Sequence, residues 1–200
     1  MKLLPESPVE FLDPLSKPPE SLFVAEFPTP FFTIMLGGTD RGLVFALRQE
    51  RLDDFRHDLW IRWGIESIMD EAPLKGAMEC FRAYFGGDRR PLGMTLQPMM
   101  TTPFTLTVHQ TMTRIPFGKT MSYGGLAEAA GRPLASRAVG NACGKNRTLV
   151  VIPCHRVVAG NGIGGFGAGL RFKRKLLRHE GIEFAEPAIS PARNARRQRG

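Results

Sequence analysis

Three consecutive side chains, those of Cys154, His155 and Arg156, place a thiol, an imidazole and a guanidinium side by side. They follow an apolar run over 150–152 whose β-branched residues predict a buried strand, and Pro153 ends its pairing because proline has no amide hydrogen to donate. A cysteine just beyond such a break, next to two groups that can carry positive charge, has surroundings that lower a thiol pKa. The block therefore predicts a reactive thiolate at Cys154, although a cysteine taken alone is more often an inert buried residue.

The use of cysteine favours free thiols. Cys80, Cys143 and Cys154 are an odd number without the spacing of a disulfide framework, which favours a reducing, cytosolic setting. The chain has neither a Cys-x-x-Cys pair nor two closely spaced histidines, so no metal site is predicted. Its first residues lack the apolar core of a secretory signal, and no stretch approaches the roughly 20 apolar residues of a membrane span. A cytoplasmic protein without a membrane partner is expected.

Charge is distributed unevenly along the 200 residues, whose formal net charge is +8. Residues 1–88 carry 9 Lys and Arg against 15 Asp and Glu, whereas residues 89–200 carry 18 against 4, a net charge of +14. A strongly basic half predicts contact with a polyanion, above all nucleic acid. A basic surface that only keeps the protein in solution is the simpler alternative.

The first half predicts a small α/β domain over 31–98, preceded by an irregular arm. Seven prolines within residues 1–30, and little periodicity, favour an extended arm. Two short apolar runs, 31–36 and 43–47, are separated by a glycine-containing loop and predict a β-hairpin. Apolar residues at helical spacing over 74–85 predict an amphipathic helix that ends at two glycines. The expected fold of this part is therefore a small sheet with a helix.

The second half predicts a mainly α-helical domain over 99–184. The stretch 91–101 has the composition of a linker, and the charge balance changes there, so the domain boundary is placed within it. Apolar spacing and helix-breaking residues then predict helices over 103–114, 123–130 and 134–143. The last two are joined by a short glycine-containing turn, which is typical of a helix-turn-helix.

The third of these helices has a surface of small side chains from which Arg137 projects. Small residues let a backbone approach its partner closely, so this helix suits insertion into a DNA groove with the guanidinium as a wedge or stacking plane. A tightly packed internal helix with a solvated arginine is the simpler alternative. The small residues assigned to the DNA contact are Ala135, Ser136, Ala138 and Gly140.

A glycine-dense loop covers 160–169, downstream of the cysteine. It lacks the following dinucleotide-binding unit that a phosphate-binding fingerprint requires, so its predicted use is close backbone approach to a flat ligand. Residues 170–179 predict a basic helix. Residues 185–200 contain four arginines and little to bury, and they predict a disordered basic tail.

Over about residues 74–184 the chain resembles the O6-alkylguanine-DNA alkyltransferases. The segments that carry the resemblance are 115–123 (IPFGKTMSY), 137–140 (RAVG), Asn146, 152–157 (IPCHRV) and 176–181 (LLRHEG). The resemblance implies a DNA repair enzyme, a methylated-DNA–protein-cysteine S-methyltransferase, that moves an alkyl group from guanine O6 to its own Cys154. The thioether is not regenerated, so each molecule acts once, and no cofactor is implied. Whether O4-alkylthymine is also accepted stays open.

The resemblance implies catalytic roles for five residues. Cys154 is the nucleophile, His155 takes its proton, and Glu180 orients and stabilises the imidazole, which follows the general cysteine–histidine–acid logic. Tyr123 lies against the 3′ phosphate and protonates the departing guanine at N3. Asn146 orders the turn that joins the recognition helix to the cysteine segment.

The family acts on double-stranded DNA from the minor groove and flips the damaged nucleotide out of the duplex. By resemblance, Arg137 fills the vacated stack and Thr105 contacts a phosphate. The carbonyl of Val157 and the backbone N–H of Gly167 read the edge of the base, and Phe166 forms a wall of its pocket. A monomer is expected.

Two departures from the family pattern affect these expectations. Members commonly carry a tryptophan near the position of His109, so the packing of that helix is expected to differ. The zinc-ligating cysteines and the metal-binding regulatory domain of some relatives have no counterpart in the sequence, so neither a structural zinc nor a role in transcription is implied.

Two other functions remain open at this point. A non-catalytic alkyltransferase-like protein would bind damaged bases and mark them for other repair, but such proteins lack the cysteine that stands here as Cys154. A cysteine hydrolase would account for the thiol and the imidazole. It would explain neither the predicted helix-turn-helix nor Arg137 nor the basic second half.

Overall fold

The computed structural model describes residues 4–99 and 101–184. The strands are β1 Val9–Phe11, β2 Leu22–Pro28, β3 Thr33–Gly38, β4 Leu43–Arg48, β5 Ser67–Met69, β6 Met94–Leu96, β7 Met121–Ser122 and β8 Val157–Val158. The helices are α1 Leu52–Trp63, α2 Lys75–Phe85, α3 Pro103–Thr113, α4 Tyr123–Ala129, α5 Ser136–Gly144 and α6 Leu170–His179. Short 3-10 turns cover Gln49–Arg51, Ala72–Leu74 and Cys154–Arg156.

The first six strands form one mixed sheet in the order β1-β6-β4-β3-β2-β5. β3 and β4 are antiparallel neighbours, which confirms the predicted hairpin, and β2 pairs antiparallel with β3. The other pairs, β1 with β6, β4 with β6 and β2 with β5, are parallel. The hairpin bulges between Gly37 and Gly38, and the ring of Phe45 lies where a Cβ on Gly37 would stand, so only glycine fits there.

The prediction of an irregular arm over 1–30 is wrong, because β1 and β2 both lie within it. The prolines fall outside the strands or at their ends, as Pro28 does at the end of β2. The stretch 91–101, predicted as a linker, contributes β6, which inserts between β1 and β4. The three-residue strands β1 and β6 are stabilised by pairing with each other although they are distant in sequence, and local composition contains no signal of such a partner. β2 is buried on both faces, with Leu22 and Val24 in one apolar cluster and Ala25 and Phe27 in the other.

Helices cover both faces of the sheet. α1, which the sequence pattern did not predict, buries Leu52, Phe55 and Leu59 against one face. α2 confirms the predicted helix and buries Phe81 and Tyr84 against the other face. The core under α2 continues into the second half of the chain as a single apolar cluster. The two halves therefore share buried surface.

The four helices predicted in the second half are present as α3 to α6. The side chain of Thr102 caps α3 by accepting from the amide of Thr105, and Ser122 caps α4, as predicted, by accepting from the amide of Gly125. α5 begins at Ser136, two residues later than predicted, and it packs against both α3 and α4.

The prediction of a strand over 150–152 is wrong, because the segment is a buried turn. Val150 has a φ of 62°, a left-handed backbone that β-branched residues rarely adopt. The amide of Ile152 donates to the carbonyl of Thr148 at 3.0 Å, and Thr148 bridges to Ala46 of β4. These apolar residues are buried by packing and not by sheet pairing, a distinction that hydrophobicity alone does not make.

Two further observations concern the ends of the chain and its helices. The basic tail predicted over 185–200 lies outside the described residues. Within 4–99 and 101–184, none of the helices has the length and apolar character needed to cross a membrane.

β7 and β8 pair in parallel, and this pairing holds the start of α4 beside the 3-10 turn that begins at Cys154.

Candidate active site

Cys154 opens a 3-10 turn directly after the buried turn, and it lines a cavity of about 420 Å³. The residue is only 7% exposed. Residues of β4 and α1 line the same cavity, together with the end of α5 and the segment that follows it. The structure thus brings four of the predicted site residues to the cavity with Cys154: Thr105, Asn146, Phe166 and Gly167.

Asn146 holds the turn that presents the thiol. Its Nδ2 donates to the carbonyl of Ile152 at 2.7 Å and to Sγ of Cys154 at 2.9 Å. Its Oδ1 accepts from the amide of Thr148 at 2.8 Å. One side chain therefore ties both ends of the turn together and also contacts the sulfur.

Burial raises the pKa of the Cys154 thiol, and the hydrogen bond from Asn146 opposes that rise only in part. The expectation that the side chains of His155 and Arg156 give this thiol a lowered pKa is wrong for this structure, although the backbone amide of His155 acts in that direction. Both side chains contact Glu180, so their hydrogen-bonding capacity is directed to a carboxylate and not to the sulfur. The thiol is therefore neutral at rest.

Glu180 is the centre of a buried cluster, which we call the Glu180 cluster: Glu180 with His155, Arg156, Tyr84 and Gly118. Its carboxylate accepts from Nε2 of His155 at 2.7 Å, from Nε and Nη2 of Arg156 at 3.0 Å, from the Tyr84 hydroxyl at 2.7 Å and from the Gly118 amide at 3.1 Å. Burial favours the neutral acid, but the hydrogen bonds from His155 and Arg156 and the charge of Arg156 outweigh it and hold the pKa of Glu180 well below its usual range.

Burial also lowers the pKa of His155, although the carboxylate of Glu180 acts in the opposite direction. The ring is therefore neutral at rest. An ionised carboxylate only accepts hydrogen bonds, so the proton is assigned to Nε2, which faces Glu180. Nδ1 then carries a lone pair, and this atom is buried without a hydrogen-bond partner in the described part of the chain. The imidazole is oriented as a base.

Sequence reasoning missed Tyr84, the member of the cluster that comes from the first half of the chain. Its helical spacing within 74–85 was assigned to core packing, which is correct for the ring. The hydroxyl, however, reaches Glu180 across the shared core. Burial raises the pKa of Tyr84 well above its usual value, so the group stays a donor. A buried tyrosine normally pairs its hydroxyl, and that was the available signal.

Lys173 is a second residue that sequence reasoning missed. Its buried ammonium donates to the carbonyls of Val157 at 2.5 Å and Gly165 at 3.0 Å. Burial lowers the pKa of Lys173 to about 8, and a negative charge on Cys154 or Cys143 would oppose the fall. The lysine falls on the buried face of α6, and a charged residue at apolar helical spacing was the signal.

Tyr123, the first residue of α4, lies at the rim of the site. Its hydroxyl donates to the carbonyl of Gly165 at 3.3 Å, the same carbonyl that Lys173 contacts. Val157 was predicted to offer its carbonyl to the base. That oxygen accepts from Lys173, so the second lone pair of the oxygen is the one left for a ligand.

Thr105 does not have the position predicted for a phosphate contact. It lines the cavity but is only 4% exposed, and its hydroxyl lies 2.9 Å from that of Thr102 at the start of α3. The hydroxyl is part of a helix cap, which leaves little of it accessible to DNA.

The outer surface of α5 carries the predicted DNA-contacting residues. Arg137 and Ala138 are exposed, and Ala135, Ser136 and Gly140 are partly exposed. The inner side of the same helix is buried. The guanidinium thus projects from a surface of small side chains, as predicted.

His109 replaces the tryptophan that the family commonly has. Its Nε2 lies 2.9 Å from the carbonyl of Ala142 in α5, and burial lowers its pKa. A polar contact between α3 and α5 therefore lies where members of the family commonly have a tryptophan ring. The contact joins two helices, and His109 makes no hydrogen bond to Glu180.

Comparison with known proteins connects this geometry to a family. A family profile described as "6-O-methylguanine DNA methyltransferase, DNA binding domain" matches residues 103–182. A methylated-DNA–protein-cysteine methyltransferase from Methanosarcina acetivorans is 33% identical over 162 residues, which cover 80% of this chain and 99% of that protein. The chain belongs to the methylated-DNA–protein-cysteine methyltransferase family. The family membership expected from the motifs around Cys154 is confirmed.

Other methylated-DNA–protein-cysteine methyltransferases support the same assignment over different lengths. A relative from Saccharolobus islandicus is 48% identical over 88 residues, which are 44% of this chain and 57% of that protein, so the match spans little more than half of the relative. The crystal structure of the Mycobacterium tuberculosis O6-methylguanine methyltransferase has a TM-score of 0.68 and 30% identity, and the match covers 80% of this chain and 92% of that one. The crystal structure of the same tuberculosis protein in complex with DNA has a TM-score of 0.66 and 31% identity, and the match covers 79% of this chain and 92% of that one. The mixed sheet with helices is therefore the fold of this family.

Proposed function

We propose that the protein repairs DNA by moving the alkyl group of O6-alkylguanine to the sulfur of Cys154. The observation that carries the proposal is a buried thiol on the wall of a 420 Å³ cavity, followed directly by a histidine that is oriented by Glu180. In the transfer, a bond forms between Sγ and the alkyl carbon while the bond from that carbon to guanine O6 breaks. Guanine leaves with a proton and the thioether stays on the protein, so each molecule acts once.

The proton of the thiol passes to Nδ1 of His155, directly or through one water molecule. This atom is buried and carries the free lone pair. The new imidazolium is held by Glu180, but Arg156 already offsets most of the carboxylate charge. Imidazolium and thiolate therefore form together, as an ion pair, when the alkyl carbon is in place to react.

The thiolate that forms needs local stabilisation. A thiol of ordinary pKa is only a few per cent ionised at pH 7, and each further pKa unit imposed by burial costs about 1.36 kcal/mol. The Nδ2 donor of Asn146, 2.9 Å from the sulfur, and the buried ammonium of Lys173 supply opposing contributions. Both are fixed before the reaction, so they need no reorganisation during the transfer.

A base inside a duplex does not reach a thiol that is 7% exposed. We therefore propose that the damaged nucleotide is flipped into the cavity. α4 and α5 act as the helix-turn-helix, with α5 in the minor groove and the exposed Arg137 in the vacated stack. The small residues beside it, Ala135, Ser136, Ala138 and Gly140, let the helix approach the backbone of the DNA closely.

Three groups are proposed to read the flipped base, and two of them, Phe166 and Gly167, line the cavity. The second lone pair of the Val157 carbonyl and the amide of Gly167 face its edge, and the ring of Phe166 forms a wall. Burial raises the pKa of the Tyr123 hydroxyl, so it remains a proton donor, which suits the proposed protonation of guanine N3. Its present partner, the carbonyl of Gly165, is a weak contact at 3.3 Å that a base can replace.

We assign the DNA contact and the transfer to residues 99–184, acting as a monomer. The sheet, including β1 and β2, is assigned a supporting role. Because one apolar cluster runs through both parts, we expect them to fold together as a single cooperative unit.

The test is a duplex that carries O6-methylguanine with a radiolabelled methyl group. Label is expected to move to the protein once, up to one equivalent, and to stay there. Cys154→Ala is expected to bind the duplex and take no label. Cys143→Ala is the matched control, because this second buried thiol lines the same cavity and burial raises its pKa to about 12, and it is expected to accept label normally.

Three results would overturn the proposal. Repeated turnover would exclude a suicide reaction. Label that persists in Cys154→Ala would show another acceptor. Tight binding of damaged duplex without any transfer by the unaltered protein would instead support a non-catalytic damaged-base binder.

A further inference from the structure

β4 contacts the site at two places along one edge. The amide of Ala46 donates to the carbonyl of Arg147 at 2.8 Å, and the carbonyl of Ala46 accepts from the amide of Leu149 at 2.9 Å. These bonds join the sheet to the segment that follows Asn146. Two residues further along β4, Arg48 reaches a different segment, the glycine-dense loop over 160–169.

Arg48 is held in a defined position. Its Nη1 donates to the carbonyl of Ala168 at 2.9 Å, and its guanidinium carbon lies 3.7 Å from the ring centroid of Phe172. Nη2 forms an ion pair with Glu50 at 2.6 Å. Phe172 in turn packs edge-on against Phe32, at 5.1 Å between ring centroids. Hydrogen bonding and stacking together fix the guanidinium plane.

The loop that Arg48 contacts has little else to define its shape. Six of the ten residues over 160–169 are glycine, so ordering this backbone costs more conformational entropy than usual. Side chains anchor it at two carbonyls among the described residues: that of Gly165, which Tyr123 and Lys173 contact, and that of Ala168. The two residues between these anchors are Phe166 and Gly167, and both line the cavity with Cys154.

We propose that Arg48 is a positioning residue for the alkyl transfer: it fixes the cavity wall formed by Phe166 and Gly167. This inference rests on the proposed function. By holding the carbonyl of Ala168, Arg48 sets where the Gly167 amide and the Phe166 ring meet a flipped base. The sheet is then part of the pocket that selects the base, although the nucleophile lies in the other half of the chain.

The test compares Arg48→Ala and Arg48→Lys with Glu50→Gln in the full chain. Glu50→Gln removes the ion pair and keeps the bond to Ala168, so it is the matched control. Single-turnover transfer from an O6-methylguanine duplex at saturating protein is expected to slow about tenfold in Arg48→Ala. The loss equals about 1.4 kcal/mol at the transition state. Arg48→Lys keeps the charge without the planar stack and is expected to recover only part of the rate. Affinity for undamaged duplex should stay within twofold in all three.

Hydrogen exchange of the amides over 165–169 provides a readout that does not depend on the chemistry. Exchange is expected to accelerate in Arg48→Ala and to remain unchanged in Glu50→Gln. Unchanged exchange in Arg48→Ala would overturn the inference even if transfer slowed. A tenfold loss of affinity for undamaged duplex in Arg48→Ala would also overturn it, because Arg48 would then be a phosphate contact. If the unaltered protein transferred no label, the proposed function would fail, and the exchange result would still decide whether Arg48 positions the loop.

Discussion

Two regions next to Cys154 are built in opposite ways. The Glu180 cluster is buried and charged, and four residues donate hydrogen bonds to its one carboxylate. The loop over 160–169 is mostly exposed or half-exposed, and side chains anchor it at two carbonyls in the described part of the chain. The difference indicates that the two regions serve different steps of the proposed reaction. Under the proposed function, proton transfer falls to the buried cluster, and base selection falls to the loop, where a few contacts define the shape.

Replacing the carboxylate should have the largest effect. In Glu180→Gln the guanidinium of Arg156 loses its counter-charge in a buried site, so the free energy of unfolding is expected to fall by about 3–5 kcal/mol. Transfer to Cys154 should also fall below detection, because the imidazolium loses its stabilising charge. Urea unfolding and the single-turnover label assay measure the two effects. A variant with unchanged stability would contradict the central place given to Glu180.

The same variant has a pH signature. The pKa of Glu180 is held below its usual range in the folded protein, so its pairing stabilises the fold fully above the unfolded pKa of about 4.3. That contribution is lost as pH falls toward the folded pKa. Urea unfolding between about pH 3 and 7 should therefore show a shallower loss of stability with acid in Glu180→Gln than in the unaltered protein.

The next largest effect is expected from Lys173→Met. The substitution removes a buried positive charge near the thiolate and the donor that fixes Gly165, so transfer is expected to slow by at least about tenfold. The unaltered protein should also lose rate as pH rises through about 8, where Lys173 gives up its proton. This alkaline decline should be absent in Lys173→Met. A decline that persists in the variant would assign it to another group.

Tyr84→Phe removes one donor from Glu180 and keeps the ring in the core. Stability is expected to fall by about 1 kcal/mol, since a buried hydrogen bond is lost. At low pH the transfer rate is expected to decline, because a protonated His155 cannot accept the proton of the thiol. Without the Tyr84 donor, the carboxylate stabilises the imidazolium more strongly, so the pKa of His155 rises. The decline of the transfer rate therefore moves to higher pH. Tyr123→Phe is the matched control: it should slow transfer at every pH without moving the decline. Identical pH profiles for Tyr84→Phe and the unaltered protein would contradict the coupling.

The smallest effect on stability should come from the loop. A Cβ on Gly167 would meet its nearest neighbour, the carbonyl oxygen of Gly144, at 3.9 Å, so Gly167→Ala should leave the free energy of unfolding within about 0.5 kcal/mol. The added methyl narrows the cavity, so transfer from O6-benzylguanine should slow more than transfer from O6-methylguanine. In Gly160→Ala, where the added Cβ meets open space, both rates should stay unchanged. Equal slowing of both adducts by Gly167→Ala would show that this wall does not select by size.

The same contrast explains what the sequence predicted. The Cys154 segment, Asn146 and Glu180 were predicted because their identities and order match a known pattern, and the structure brings them together. Tyr84 and Arg48 were missed because each acts through a contact with a distant segment. A tyrosine at helical spacing is expected in the core whether or not its hydroxyl has a catalytic partner. An arginine at the end of a strand is usually solvated.

The errors over 1–30 and 91–101 have a related cause. β1 and β6 have three residues each, and prolines stand near β1 and at the end of β2, so local propensity favours irregular structure. Pairing with segments far along the chain overrides that propensity. The prediction over 150–152 is wrong in the opposite sense, since local propensity favours a strand there and the structure has a turn. The apolar β-branched run is buried by packing, without strand pairing.

The position of β6 in the sheet also has a consequence for how the chain folds. β6 spans residues 94–96 and lies between β1 and β4, so β1 has no place in the sheet until most of the first hundred residues are available. Parallel pairs between segments this far apart form slowly, because the intervening chain must first be ordered. On a ribosome, β4 would present an open edge while the hairpin is already complete. β6 covers that edge at Leu43, and the segment over 147–149 covers it at Ala46, so a site at which two nascent chains could pair is removed only after both have been made.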